Sequence, residues 1–313
     1  MTPGSIPFAS FSAEVLALYH PPLRRVSTFR KMRQVLEEIG AICPTTADLS
    51  PATIAAWITA HPTRRSSTIR TLLVALRAGL KYGEARGHLS SPFRFRSVAQ
   101  WVPRTDDEPA RTHPGATEVG KVLLQADREA EAGAWHARRL QLLVYALAYT
   151  GARASEVLAL RADDIDPVRA VVWIRPHARR PLKTARSRRA VPIAGPLHRV
   201  LETWLARTDR HSDWLIPHTR LDGPWLSGAP TAKPLAAVRE LGRRAGVEGL
   251  TLLGFRHAFA TSADRFGIGS KALTEILGHT TPATQWHYRH ADPDEMRRAI
   301  DRVRFEHPSP PLP

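Results

Sequence analysis

The chain has 313 residues, of which 43% are hydrophobic; this composition supports ordinary buried cores, and the length favours two domains. Lys and Arg total 45 against 29 Asp and Glu, and this formal charge of +16 favours a polyanion such as nucleic acid as the partner. A basic ribosome-associated or membrane-surface protein would carry a similar charge, so charge alone does not choose between these classes.

Cys43 is the only cysteine, which excludes an intrachain disulfide and a cysteine-based zinc site within one chain. Residues 1–12 lack the basic and then apolar pattern of a secretory signal, and the longest apolar run, residues 140–149, is about half a membrane span. We therefore expect a cytoplasmic protein that is soluble, is not exported and has no membrane partner.

The N-terminal region has apolar residues at helical spacing, and the first recognisable helix is predicted to begin near residue 12. Two stripes carry the pattern: Phe29, Met32, Leu36 and Ile39, followed by Ile54, Trp57 and Ile58. Ser50 and Pro51 predict a helix start with an N-cap and a proline at the first helical position. A longer helix is predicted from about Ser67, with Gly87 as its stop.

Basic residues accompany that last helix and fall on or near the face opposite its apolar stripe: Arg64, Arg65, Arg70, Arg77 and Lys81. Such charges form either a solvated polar face or a contact surface for the DNA backbone, and the pattern leaves both readings open. Residues 90–114 contain four prolines without periodicity, which predicts an extended linker. A second domain should begin near Ala116.

The second region first shows helical periodicity and then changes to the two-residue period of strands. Helices are predicted at about residues 117–131, 135–149, 154–160, 196–207, 233–245, 255–266, 270–277 and 292–304. Two short strands, residues 170–174 and 189–193, flank a basic segment that contains Arg179, Arg180, Lys183, Arg186 and Arg188. The pattern predicts a mainly α protein with a small antiparallel β-sheet.

Four separated stretches of this region resemble the tyrosine recombinase (phage integrase) family. The first is Thr150-Gly151-Ala152-Arg153 with Glu156 three residues later, and the second is the basic segment that begins at Lys183. The third is Gly254-Phe255-Arg256-His257, and the fourth is Leu277-Gly278-His279 with Tyr288 nine residues later. Each stretch alone has an ordinary structural explanation, but four such stretches in the family's order are specific for that family.

The resemblance implies a catalytic set of five side chains: Arg153, Lys183, Arg256, His279 and Tyr288. Tyr288 would attack the DNA backbone, and Lys183 would donate a proton to the leaving 5′-oxygen. The chain has only six lysines beside 39 arginines, and lysine can release a proton whereas arginine effectively cannot. A solvent-facing hairpin charge is the structural alternative for Lys183, as helix capping is for His279 and core packing for Tyr288.

Two fixed guanidinium groups suit this chemistry because they can stabilise the charge that builds on the non-bridging oxygens of a phosphodiester under attack. A phosphotyrosyl intermediate keeps the energy of the broken bond, so we expect no cofactor and no metal. Glu156 and His257 are expected to support the site. The family's histidine three residues before Arg256 is Leu253 here, which predicts weaker phosphate positioning; His257 is not counted as its replacement.

The sequence thus predicts a helical core-binding, SAM-like DNA-binding domain at residues 10–100 and an α+β catalytic domain at residues 115–313. By resemblance, the protein is a site-specific recombinase that uses a 3′-phosphotyrosyl intermediate and has double-stranded DNA with inverted-repeat core sites as its partner. We expect a two-domain type without an arm-binding domain, a monomer when free and a homo-tetramer in synapsis, with residues 292–305 docking into a neighbour. The alternatives are a catalytically weakened DNA-binding regulator and a type IB topoisomerase-like enzyme. DNA-contact candidates are Arg64, Arg65, Arg70, Arg77, Lys81, Arg180, Arg186 and Arg188, and the location would be the nucleoid.

Overall fold

The computed structural model describes residues 5–89, 102, 113–176, 188–207, 212–218, 223–225, 232–278, 297–298 and 300–303. The chain divides into two compact units, Met1–Ala110 and Arg111–Pro313. Most of the predicted linker at residues 90–114 and most of the predicted helix at residues 292–304 lie outside the described residues.

The described part of the first unit is helical. Its helices are α1 (Phe8–Tyr19), α2 (Val26–Gly40), α3 (Pro51–Thr59) and α4 (Ser66–Arg86). The predicted stripes pack into one core, in which Met32, Leu36, Ile54 and Trp57 are almost fully buried. Apolar residues three and four positions apart lie on one face of a helix, which explains why the pattern predicted this core.

The predicted helix ends of the first unit are confirmed. The side chain of Ser50 accepts a hydrogen bond from the backbone N–H of Thr53, and Pro51 occupies the first helical position. Helix α4 ends at Gly87, whose φ of +72° lies in the left-handed region that favours glycine. The first helix, however, begins at Phe8 and not near residue 12, because Phe8 and Phe11 are both buried in the core one turn apart.

The described part of the second unit combines helices with one small sheet, as predicted. Its helices are α5 (Ala116–Glu131), α6 (Trp135–Thr150), α7 (Ala154–Val157), α8 (Gly195–Leu205), α9 (Ala232–Arg244), α10 (Leu252–Arg265) and α11 (Ser270–Leu277). Its strands are β1 (Ile165–Asp166), β2 (Val171–Ile174) and β3 (Arg189–Pro192), antiparallel in the order β1-β2-β3.

Helix α6 runs through the core of the second unit. From Leu142 to Thr150 every residue is buried, so this helix is enclosed on all sides by α5, α8 and α10. Its C-terminal end, where the first predicted motif begins, is therefore buried in this core.

Two details of the second unit differ from the sequence prediction. The helix predicted at residues 154–160 ends at Val157, and Leu160 instead accepts a hydrogen bond from the backbone N–H of Leu215. Strand β1 was not predicted, because two residues are too few to show an alternating pattern. It pairs with β2 through Ile165 opposite Val172.

Candidate active site

The first predicted motif lies at the end of α6, where the backbone turns sharply. Thr150 is fully buried, and its hydroxyl donates to the carbonyl of Ala146 and accepts from the N–H of Ala152. Gly151 ends the helix with φ of +58°, and a Cβ at this position would lie 2.5 Å from a ring carbon of Phe259. Only glycine fits here without displacing its neighbours.

Arg153 follows directly at the N-terminus of α7 and is held by Glu156. The carboxylate accepts the backbone N–H of Arg153 at 2.9 Å on Oε2 and its Nη1 at 3.1 Å on Oε1. The side chain of Glu156 is 6% exposed, whereas that of Arg153 is 38% exposed. Glu156 therefore holds both the backbone and the guanidinium group of Arg153, while 38% of that side chain remains exposed.

Arg256 on α10 lies at the same place in the fold and is 7% exposed. Its Nη1 donates to the carbonyl of Gly151 and its Nη2 to the carbonyl of Leu277, each at 2.7 Å. Burial and the nearby charges of Arg153 and Arg189 lower the pKa of Arg256 from 12.5 to about 10, so the group remains cationic at neutral pH. Three predicted stretches thus meet around this guanidinium.

A further arginine, which the sequence analysis did not single out, belongs to the same cluster. Arg189, the first residue of β3, donates from Nη2 to Glu156 at 2.8 Å, and its side chain is 7% exposed. The alternation of the predicted strand could have indicated its burial. Arg189 and the buried Val191 are two positions apart and so lie on the same face of the sheet.

His257 and Leu253 lie one helical turn apart on α10, and both are exposed. The imidazole of His257 stacks on that of His113, with ring centroids 3.9 Å apart and an interplanar angle of 12°. Burial, His113 and Arg256 lower the pKa of His257 below its ordinary value of 6.5, which keeps it neutral at pH 7. Leu253 is 51% exposed, so the position where the family has a histidine is open to solvent.

The remaining predicted site residues of the second unit lie largely outside the described residues. This holds for Lys183, His279, Tyr288, Arg180 and Arg186. Arg188 is described and exposed. The described range 232–278 ends at Gly278, directly before His279, and the neighbouring carbonyl of Leu277 accepts a hydrogen bond from Arg256. Among the described residues, no group of three or more His, Cys, Asp or Glu side chains is placed to hold a metal ion.

The basic residues of the first unit differ in environment. Arg65, Arg70 and Lys81 are exposed, and Arg77 is half-buried. Arg64 donates to both carboxylate oxygens of Glu38, at 2.7 and 3.1 Å, so its charge is already compensated. Burial acts to raise the pKa of Glu38, but hydrogen bonds from Arg64, Gln34 and Trp57 outweigh it and lower that pKa to about 2.

Comparison with known proteins identifies the family. Residues 116–295 match the model of the phage integrase family, more than half of the chain. The chain belongs to this family. Tyrosine recombinase XerC from Mycobacterium sp. (strain KMS) is 28% identical over 277 residues, which cover 82% of this chain and 84% of that protein. Tyrosine recombinase XerA from Thermococcus kodakarensis is 30% identical over 169 residues, 54% of this chain and 56% of that protein.

Solved structures share the fold. The Tn1549 transposon integrase in complex with circular intermediate DNA has a TM-score of 0.69 and 18% identity, covering 94% of this chain and 99% of that chain. A lambda integrase tetramer bound to a Holliday junction has a TM-score of 0.67 and 17% identity, covering 90% and 80%. Family and relatives together make this chain a tyrosine recombinase, an enzyme of site-specific DNA recombination, and they do not favour the regulator or topoisomerase alternatives. No helix in the described ranges has the length and apolar character needed to cross a bilayer.

Proposed function

We propose that this recombinase cleaves and rejoins double-stranded DNA through a covalent 3′-phosphotyrosyl intermediate at Tyr288. The observation that carries the proposal is the pair of guanidinium groups at the end of α6. Arg256 donates to two backbone carbonyls and Arg153 to Glu156, so the protein's own groups hold both guanidinium groups in place. Donors ordered in advance stabilise a charged transition state without reorganisation during the reaction.

The proposed cleavage step conserves the number of phosphate ester bonds. The Tyr288 hydroxyl releases its proton to the surrounding water as its oxygen forms a bond to phosphorus, the bond from phosphorus to the 5′-oxygen breaks, and Lys183 supplies a proton to the leaving oxygen. Arg153 and Arg256 would bind the non-bridging oxygens, and His279 would donate a further hydrogen bond to them. Rejoining is the reverse attack by a 5′-hydroxyl, so no external energy source is required.

DNA is supported as the partner by the net charge of +16 and by the exposed cations of α4. We assign the first unit, with Arg65, Arg70, Arg77 and Lys81, to DNA backbone contact, together with Arg180, Arg186 and Arg188 of the second unit. Arg64 is the weakest member of the predicted set because Glu38 already neutralises it. Residues 10–100 would then be the core-binding domain and residues 115–313 the catalytic domain.

Assembly on DNA is the second part of the proposal. Lambda integrase has been solved as a tetramer bound to a Holliday junction, and the same arrangement would pair two inverted-repeat core sites here. The protein would be a monomer when free, and residues 292–305 would dock into the neighbouring subunit. A protein with this substrate would be found with the nucleoid.

The proposal is tested with a duplex whose nicked strand loses its 5′-hydroxyl fragment after cleavage, so that the covalent complex accumulates. We expect a protein–DNA adduct that survives denaturing electrophoresis and is absent for Tyr288→Phe. A requirement for an inverted repeat separates the recombinase from a topoisomerase, which would relax plasmid DNA without one. An adduct formed equally by Tyr288→Phe would refute the assignment of the nucleophile.

A further inference from the structure

Arg189 connects three parts of the polypeptide that are distant in sequence. It begins strand β3, its Nη2 donates to Glu156 of α7, and its Nε donates to the carbonyl of Ile276 near the end of α11, at 2.6 Å. Both members of the ion pair are almost fully buried, at 7% and 6% exposure of their side chains. Burying two charges is costly unless their geometry is good and further hydrogen bonds satisfy them, and this pair meets both conditions.

The first connection leads to Arg153 through one carboxylate oxygen. Oε2 of Glu156 accepts from the backbone N–H of Arg153 at 2.9 Å and from Arg189 at 2.8 Å, while Oε1 accepts from the Arg153 side chain. Burial acts to raise the pKa of Glu156, but the hydrogen bond and charge of Arg189 and then Arg153 lower it. The carboxylate that holds Arg153 is therefore itself held by Arg189.

The second connection leads to the end of α11. The carbonyls of Ile276 and Leu277 are consecutive, and the first accepts from Arg189 while the second accepts from Arg256. The last carbonyls of a helix lack hydrogen-bond donors within the helix, and these two guanidinium groups supply donors to the carbonyls of Ile276 and Leu277. Gly278 ends α11 with φ of +62°, and a Cβ there would lie only 3.0 Å from Nη1 of Arg189.

We propose that Arg189 is a positioning residue for DNA cleavage, coupling the docking of strand β3 to the placement of Arg153 through Glu156 and to the end of α11. This inference rests on the proposed function above. The side chain of Arg189 is 7% exposed, whereas that of Arg153 is 38% exposed, and the scheme gives Arg189 no contact with a reacting atom. Its loss should therefore reduce the rate constant of cleavage and leave DNA affinity nearly unchanged.

The test measures single-turnover cleavage of the trapping duplex and, separately, the Kd for the same DNA. Arg189→Gln should lower the cleavage rate constant about 100-fold, the effect expected when a catalytic group is displaced by roughly 1 Å. The cleavage rate constant of Arg189→Lys should be intermediate, since one ammonium group cannot reproduce the two separate donors with which the guanidinium group binds Glu156 and Ile276. Kd should stay within about threefold of wild type, because the phosphate contacts that dominate DNA affinity lie elsewhere.

Arg243→Gln is the matched control. Arg243 is an exposed arginine on α9 that pairs with Glu240, so the substitution removes the same charge away from the cluster. Its cleavage rate constant should equal that of the wild type.

Removing one partner of a buried ion pair can itself prevent folding, so a second variant separates positioning from stability. Glu156→Gln/Arg189→Gln removes both charges and should regain most of the thermal stability lost in Arg189→Gln. If Arg189 positions Arg153 through Glu156, the double variant cleaves as slowly as Glu156→Gln alone, because the two effects are not additive. If Arg189 serves stability alone, Arg189→Gln cleaves at the wild-type rate constant below its melting temperature, and the slow cleavage of the double variant comes only from the loss of Glu156.

The outcomes separate this inference from the proposed function. Wild-type cleavage rate constants in Arg189→Lys and in folded Arg189→Gln would overturn the role of Arg189 and leave the proposed function intact. Failure of the wild-type protein to form any adduct would overturn the proposed function itself, and the inference with it.

Discussion

Replacing Gly151 by alanine tests whether the end of α6 is as tightly fitted as the structure indicates. Two costs combine at this position. The left-handed backbone costs a residue with a Cβ about 1–2 kcal/mol. The new methyl group would lie 2.5 Å from the ring of Phe259 and 2.9 Å from Leu277, and such overpacking costs about 1–3 kcal/mol. We expect a loss of about 2–5 kcal/mol in the free energy of unfolding of the second unit.

Gly133→Ala provides the matched control for this measurement. Gly133 also has a positive φ, +77°, but no atom lies within 4 Å of a Cβ built there. It should cost only the backbone contribution, about 1–2 kcal/mol. Urea denaturation followed by tryptophan fluorescence measures both variants. If Gly151→Ala is destabilised no more than Gly133→Ala, the close packing of Phe259 and Leu277 against the first motif is refuted.

Three further predictions address other parts of the molecule. Because the folded state lowers the pKa of Glu38 from 4.5 to about 2, the ion pair with Arg64 contributes stability above pH 4.5 that is lost as the pH falls towards 2. Between pH 4.5 and 2, the melting temperature of the wild type should fall more steeply with decreasing pH than that of Glu38→Gln. Equal dependence of the two melting temperatures on pH would contradict this prediction. Leu253→His should raise the cleavage rate about ten- to a hundredfold, since a hydrogen bond to a charged phosphate contributes about 1.5–3 kcal/mol; an unchanged or lower rate would reject this. DNA affinity should fall on the order of a thousandfold between about 50 and 200 mM salt. In a plot of the logarithm of the binding constant against the logarithm of the salt concentration, Arg70→Gln should reduce the magnitude of the slope by about one. If Arg70→Gln leaves the slope unaltered, Arg70 does not belong to the contact surface.

Much of the fold follows from local patterns. Helices such as α2 and α4 are long and strongly periodic, and their ends carry residues with distinct backbone requirements, as at Ser50 and Gly87. Strand β1 and the C-terminal limit of α7 could not be predicted, because they depend on pairing with distant segments, as the hydrogen bond from Leu215 to Leu160 shows.

The site was predictable only where a residue type was distinctive. Arg153, Glu156 and Arg256 stood in recognisable motifs, and the structure brings all three together. Arg189 stood in a run of basic residues, where composition does not indicate that its side chain is buried. Similarly, nothing near Arg64 in sequence indicates Glu38, its partner on α2. Ion pairs between distant segments are properties of the tertiary structure.

The most direct test of the account is the chemical identity of the DNA attachment point. The covalent complex formed on the trapping duplex would be digested with nuclease and protease, and its modified peptide sequenced by tandem mass spectrometry. We predict a nucleotide joined through its 3′-phosphate to the phenolic oxygen of Tyr288. A nucleotide attached to any other side chain, or joined through a 5′-phosphate, would contradict the account.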